Sequence, residues 1–162
     1  MDPGLTRESV ATLLSQEISF LNRLADLLAH EHTLLVANDV DSLDKAMQER
    51  QVVVGQLLDI EEERRSMCRA HGKTADVHGL EQLLAWCDPR GTLKPRMAES
   101  AKSASRCREM NDRNGALVQA RMKHVQGLLS AITGQSPEAP ATYGPKGAYA
   151  APRTGSVFTT EA

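Results

Sequence analysis

The chain has 162 residues, 41% of them hydrophobic but only 3% aromatic, with a formal net charge of −2. That composition suits one all-helical domain of modest size, and no run of alternating β-branched residues suggests a sheet. No stretch approaches the ~18 uninterrupted apolar residues of a membrane helix, and the N-terminus lacks a basic-then-apolar leader, so a cytoplasmic protein without stable membrane insertion is expected.

The first element is written in leucines. Leu13, Phe20, Leu27 and Leu34 recur every seven residues, Leu14, Leu21, Leu28 and Leu35 lie beside them, and Val10 and Leu24 fill the edge of the stripe. This spacing predicts a helix from Thr6, its expected N-cap, to Asn38, roughly 50 Å long at ~1.5 Å per residue. Glu8, Arg23, Asp26 and Glu31 are expected to face water. Asn38-Asp39-Val40-Asp41-Ser42 then favours turns and caps, so the chain reverses into a second helix capped by Asp39 or Asp41. There Ala46, Val53, Ile60 and Met67 repeat at seven, flanked by Met47, Val54 and Cys68, with Leu43 and Leu57 completing the seam. Glu61-Glu62-Glu63-Arg64-Arg65 reads as a solvated outer face with pairs three and four residues apart.

Gly72 suits the left-handed residue after a helix. A shorter helix is expected from Thr74 or Asp76 to Cys87, burying Val77, Leu80, Leu83 and Leu84, with Trp86 beside them. Asp88-Pro89-Arg90-Gly91 is a turn signal, and Thr92 is the expected cap of the last helix, with Pro95 in its first turn. Three-four spacing there runs through Met97, Ala101, Ala104, Arg108, Asn111, Gly115, Val118, Met122, Val125, Leu129 and Ile132. On this reading Asn111 is a register-fixing buried amide and Arg108 a surface or snorkelling arginine. The C-terminal half carries a broad apolar face, Leu117, Val118, Met122, Val125, Leu128, Leu129 and Ile132, suited to a core or to a partner.

From Gln135 onward Pro137, Pro140, Pro145 and Pro152 with few large apolar side chains predict a disordered tail. The expected domains are thus a helical bundle over 1–134 and a tail over 135–162. Tyr143, Tyr149, Val157 and Phe158 are either incidental or anchors for a partner groove.

Charge divides unevenly. Residues 1–70 hold 7 Lys and Arg against 13 Asp and Glu, while residues 93–134 hold 8 against 3. Attraction within the bundle is expected from this rather than nucleic-acid binding, which the scarcity of stacking aromatics also disfavours. None of His30, His32, His71, His78 and His124 has a Glu three residues before it, as a di-iron bundle would require. There is no Cys-x-x-Cys, no phosphate loop and no nucleophile elbow, so neither metal, cofactor nor enzymatic activity is expected. Cys68, Cys87 and Cys107 are odd in number and widely spaced, which suits reduced thiols.

Taken in order, the leucine-rich first helix, the Asn38-Asp39-Val40-Asp41-Ser42-Leu43 break, Glu62-Glu63-Arg64-Arg65, Asn111-Asp112-Arg113-Asn114-Gly115 and Tyr143-Gly144-Pro145-Lys146-Gly147 resemble the FlgN-type flagellar export chaperones. The helix pattern itself predicts an elongated antiparallel bundle of three long helices and one shorter helix with a flexible tail. The resemblance implies a chaperone, free of ATP or cofactor, that holds the terminal amphipathic helix of hook-associated proteins before type III export. Carried onto this chain, the cargo face comprises Val118, Met122, Val125, Leu129 and Ile132. Tyr143 becomes the residue that docks on the cytoplasmic domain of the export gate, and Gly144 and Gly147 let the backbone approach it. The rival reading is a coiled-coil adaptor that self-associates as a homo-oligomer through the same seams, without secretion cargo.

Overall fold

The computed structural model describes residues 2–134; the Tyr143-to-Gly147 segment lies outside them. The described chain is four helices in the order α1 (Pro3–Ala37), α2 (Val40–Ala70), α3 (Val77–Cys87) and α4 (Lys94–Thr133), with no strand among the described residues. The all-α expectation of three long helices and one short one holds. The chain divides into two compact units, Met1–Ala120 and Arg121–Ala162.

Helix α1 begins four residues before the expected Thr6 cap. Asp2 is the N-cap, its carboxylate accepting from the Gly4 amide at 2.8 Å, and Pro3 follows with a backbone angle already set for a first turn. Thr6 is instead buried inside the helix, where its Oγ1 donates to the Asp2 carbonyl and lies 3.4 Å from His71 Nε2. The helix ends where Asn38 adopts a left-handed conformation (φ 59°) and the Asp39 amide reaches back to the Leu34 carbonyl. Asp39 then caps α2 through Ser42, so two residues serve both helix ends and the hairpin has no slack.

The hairpin register is fixed by two cross-helix ion pairs. Glu31 meets Arg50 at 2.8 Å, and Glu17 approaches Arg64 Nη2 at 2.8 Å, in an ionic contact that lacks hydrogen-bond alignment. The spacing of fourteen between the two glutamates on α1 matches the spacing of fourteen between the two arginines on α2, so one register holds over two heptads. Glu31 was expected in water, but it is buried, and Arg50 is what makes that burial tolerable. Arg64 turns partly inward to Glu17 while keeping its expected pair with Glu61, and Arg65 stays on the solvated face, also paired with Glu61; beyond that stretch Arg69 pairs with Glu62.

Two apolar clusters occupy the interior of this unit. One gathers Val10, Leu14, Cys68, Leu83 and Leu93, and the other Leu21, Ala25, Leu28 and Cys107. Glu17 lies between Leu14 and Leu21 in the chain, and with Arg64 and Ser100 it makes a polar layer that interrupts the leucine stripe. All three cysteines are buried and unpaired, and burial pushes their thiols up, so they stay protonated.

Helix α3 turns a narrower face inward than its sequence suggested. Gly79, Leu83 and Cys87 are buried, while Val77 is 75% exposed and Trp86 rests on His71 with ring centroids 5.1 Å apart. Gly79 is required by close approach, because a Cβ there would lie 1.8 Å from the Thr74 carbonyl oxygen. Asp76 caps the helix through the Gly79 amide at 2.8 Å. At the next turn Thr92 is not the cap of α4. It donates to the buried Asp88, whose second oxygen accepts the Leu93 amide at 2.8 Å, and the Leu93 carbonyl accepts the first helical bond, from Met97.

Two outcomes are expected. Leu83 is fully enclosed, so Leu83→Ala should cost about 2–5 kcal/mol in chemical denaturation, while Val77→Ala should stay within about 0.5 kcal/mol. The Asp76 and Asp88 carboxyls lie below the usual range, held there first by the Gly79 and Leu93 amides respectively. Because the folded pKa is depressed, that stabilisation is present above the unfolded value of about 3.9 and is lost as pH falls through it toward the folded value. Denaturation midpoints should therefore drop below about pH 4, and Asp88→Asn should flatten that drop.

Candidate functional site

Helix α4 carries two sets of residues with different tasks. Within the first unit it runs parallel to α1, since contacts along it advance together on both helices. Arg96 donates to Ser15 Oγ at 2.8 Å, Ser100 to Glu17 at 2.9 Å, Cys107 to the Leu21 carbonyl at 3.2 Å, and Asn114 Nδ2 to the Leu28 carbonyl at 2.9 Å. Asn114 Oδ1 also lies 2.9 Å from His32 Nδ1.

The buried residues of this seam are Ser100, Cys107 and Asn114, spaced by seven. Of the expected seam, Met97 and Ala104 pack against the core and Arg108 is at the surface as read, but Ala101, Asn111 and Gly115 are exposed, and the buried residues lie one position earlier at Ser100, Cys107 and Asn114. Asn114, not Asn111, is the buried amide. The sequence signal pointed elsewhere because the inward residues are small and polar, and their bonding partners are main-chain carbonyls of α1, which no side-chain pattern reveals. The expected attraction between acidic and basic halves takes a different route as well. The inward carboxylates Glu17 and Glu31 pair with arginines of α2, and Arg96 of α4 reaches a hydroxyl and the Ala11 carbonyl.

The second set is apolar and outward. Val118 is 39% exposed in the first unit; in the second, Met122 is 57%, Val125 53%, Leu129 55% and Ile132 81% exposed. Within the second unit the three-four-three spacing puts Met122, Val125, Leu129 and Ile132 on one stripe of the helix. Leu128, 51% exposed, joins them and belongs to the same face by position. No acidic residue occurs from Arg113 to Gly134, so the charges beside the stripe are Arg121 and Lys123, with His124. The helix ends at Gly134 with φ 67°.

Chemically this face offers apolar area, an adaptable methionine and cationic flanks, the ingredients of helix recognition rather than bond-making. Among the described residues no group of three or more His, Cys, Asp or Glu is placed to hold a metal ion, and no helix is long and apolar enough to cross a membrane. Tyr143, Gly144 and Gly147 lie outside the described residues.

A protein-family model described as FlgN protein matches residues 1–151. Comparison with curated proteins and with solved structures returned no match.

The two candidate amides separate cleanly by experiment. Asn114→Ala removes the donor to Leu28 and the partner of His32 from a buried position, and should cost about 1–3 kcal/mol in urea denaturation. Asn111→Ala should change stability by less than about 0.5 kcal/mol.

Proposed function

We propose a cargo-binding role for α4 from one premise: this chain belongs to the FlgN protein family. Membership makes it a flagellar export chaperone in general terms, a protein of flagellum assembly and type III secretion. The finer reading is that it works in the cytoplasm and holds hook-associated proteins by a terminal amphipathic helix laid along Val118, Met122, Val125, Leu129 and Ile132. Covering the cargo's own apolar helix keeps it from assembling early. Delivery follows when Tyr143 docks on the cytoplasmic domain of the export gate, with Gly144 and Gly147 allowing close backbone approach. No catalytic step, metal or cofactor enters this scheme.

The observation that carries the reading is the exposure of the α4 stripe. In the second unit Met122, Val125, Leu128, Leu129 and Ile132 are each more than half exposed, which leaves their apolar area for a partner. Helix-in-groove recognition uses anchors at this three-four spacing. Binding through one short helix face also gives modest affinity, which suits cargo that must be released to the export machinery.

The test is co-expression with hook-associated proteins, followed by size-exclusion chromatography with light scattering. A 1:1 complex is expected, and Val125→Asp or Leu129→Asp should weaken it at least ~10-fold, because a carboxylate would be desolvated at the contact. Normal cargo binding by both well-folded variants would remove the site from α4. Tyr143→Ala should leave the complex intact and lower export, measured as secreted hook-associated protein.

A further inference from the structure

We propose that the pocket between α1, α3 and the first turns of α4 binds a small neutral aromatic molecule carrying one hydroxyl, of the size of a substituted phenol. The pocket holds about 230 Å³. Engineered apolar cavities of about 150 Å³ already accept benzene, so this one has room for a ring and a substituent. Val10 and Leu14 of α1 form its buried floor, Leu80 and Leu84 of α3 one wall, and Met97 and Ala101 of α4 the other. Leu84 and Met97 also border an adjoining pocket of about 430 Å³, into which a substituent can extend.

The polar end of the pocket selects the ligand. Glu17, Arg64 and Ser100 line it together. Ser100 donates to one Glu17 oxygen at 2.9 Å, and the other lies 2.8 Å from Arg64 Nη2. Arg64 Nη1 donates to Glu61 at 3.1 Å, but Nη2 is buried and has no aligned acceptor. One donor is thus left unsatisfied at the edge of an apolar space, beside a carboxylate with lone pairs to spare. A hydroxyl answers both, because its oxygen accepts from Arg64 and its O–H donates to Glu17. A ligand carboxylate would lie against Glu17, and a ligand ammonium against Arg64, so either charge is desolvated beside its like. A plain hydrocarbon fills the pocket and leaves Nη2 unpaired.

The site exists only while α4 lies on α1, because its floor and walls belong to different helices of the first unit. Ligand binding therefore favours the seated position of α4, and it stabilises the folded state as ligand concentration rises above the dissociation constant. None of this depends on the cargo reading.

The experiment is a titration of the full chain, isotope-labelled at its methionine methyls, with p-cresol, toluene and p-toluate in turn. Met97 is the methionine that lines the pocket, and its methyl signal is assigned with Met97→Leu. p-Cresol should shift that signal saturably and raise Tm. Toluene should bind about 3- to 10-fold more weakly, for want of the hydroxyl. p-Toluate should bind at least ~10-fold more weakly, for its charge beside Glu17. Ala101→Leu, at an exposed position on the pocket wall, should abolish p-cresol binding with unchanged helical circular dichroism. Glu17→Gln should raise p-toluate to the affinity of p-cresol or above, since Arg64 then meets the ligand carboxylate without a rival on α1. A Met97 methyl that never saturates, equal affinity for the three probes, p-cresol binding undiminished in Ala101→Leu, or p-toluate still rejected by Glu17→Gln would each overturn the proposal.

Discussion

Two inward glutamates on α1, Glu31 buried and Glu17 half-buried, govern the first unit. Removing a carboxylate from water is costly unless a cation meets it, so Glu17 and Glu31 each tolerate one hairpin register, the one that brings Arg64 and Arg50 opposite. The leucines between them would pack acceptably with α2 slipped by a turn; the ion pairs would not. Glu17 has a further effect, because Ser100 also donates to it, which ties α4 to the same level of the bundle. One interrupted position in a leucine stripe thus sets where three helices meet.

Much of this architecture was legible in the sequence. The heptads of α1 and α2 named Leu14, Leu21, Leu28, Leu35, Ala46, Val53 and Ile60, and all seven are buried. Asn38 and Asp39 were readable as a reversal because their side chains and backbone preferences belong to turns and caps. What escaped were groups whose role depends on a distant partner. Glu31 looks like any surface acid until Arg50 is placed beside it, and Gly79 looks ordinary until the Thr74 carbonyl is seen at its Cα.

Helix α4 shows why hydrophobic spacing is an ambiguous signal. The C-terminal part of its three-four pattern marks residues that are exposed, while its fully buried residues are a serine, a cysteine and an asparagine, with Met97, Ala104 and Met110 packed beside them. A stripe read from sequence says only that a face avoids water, and both a core and a partner satisfy that requirement. Met122, Val125, Leu129 and Ile132 do lie exposed on α4. That exposure required coordinates, and so did the identity of the inward face one residue away.

Mechanically, the bonds from Cys107 and Asn114 to the carbonyls of Leu21 and Leu28 act as two teeth of equal pitch, seven residues apart on both helices. Sliding α4 by a single turn disengages both together, and the next position in which two α4 side chains spaced by seven again meet these carbonyls lies a full heptad away, roughly 10 Å along the axis. Greasy seams creep, because one leucine substitutes for another at nearly every offset. Within any one heptad this seam has a single stop: helix α4 is either seated there or off.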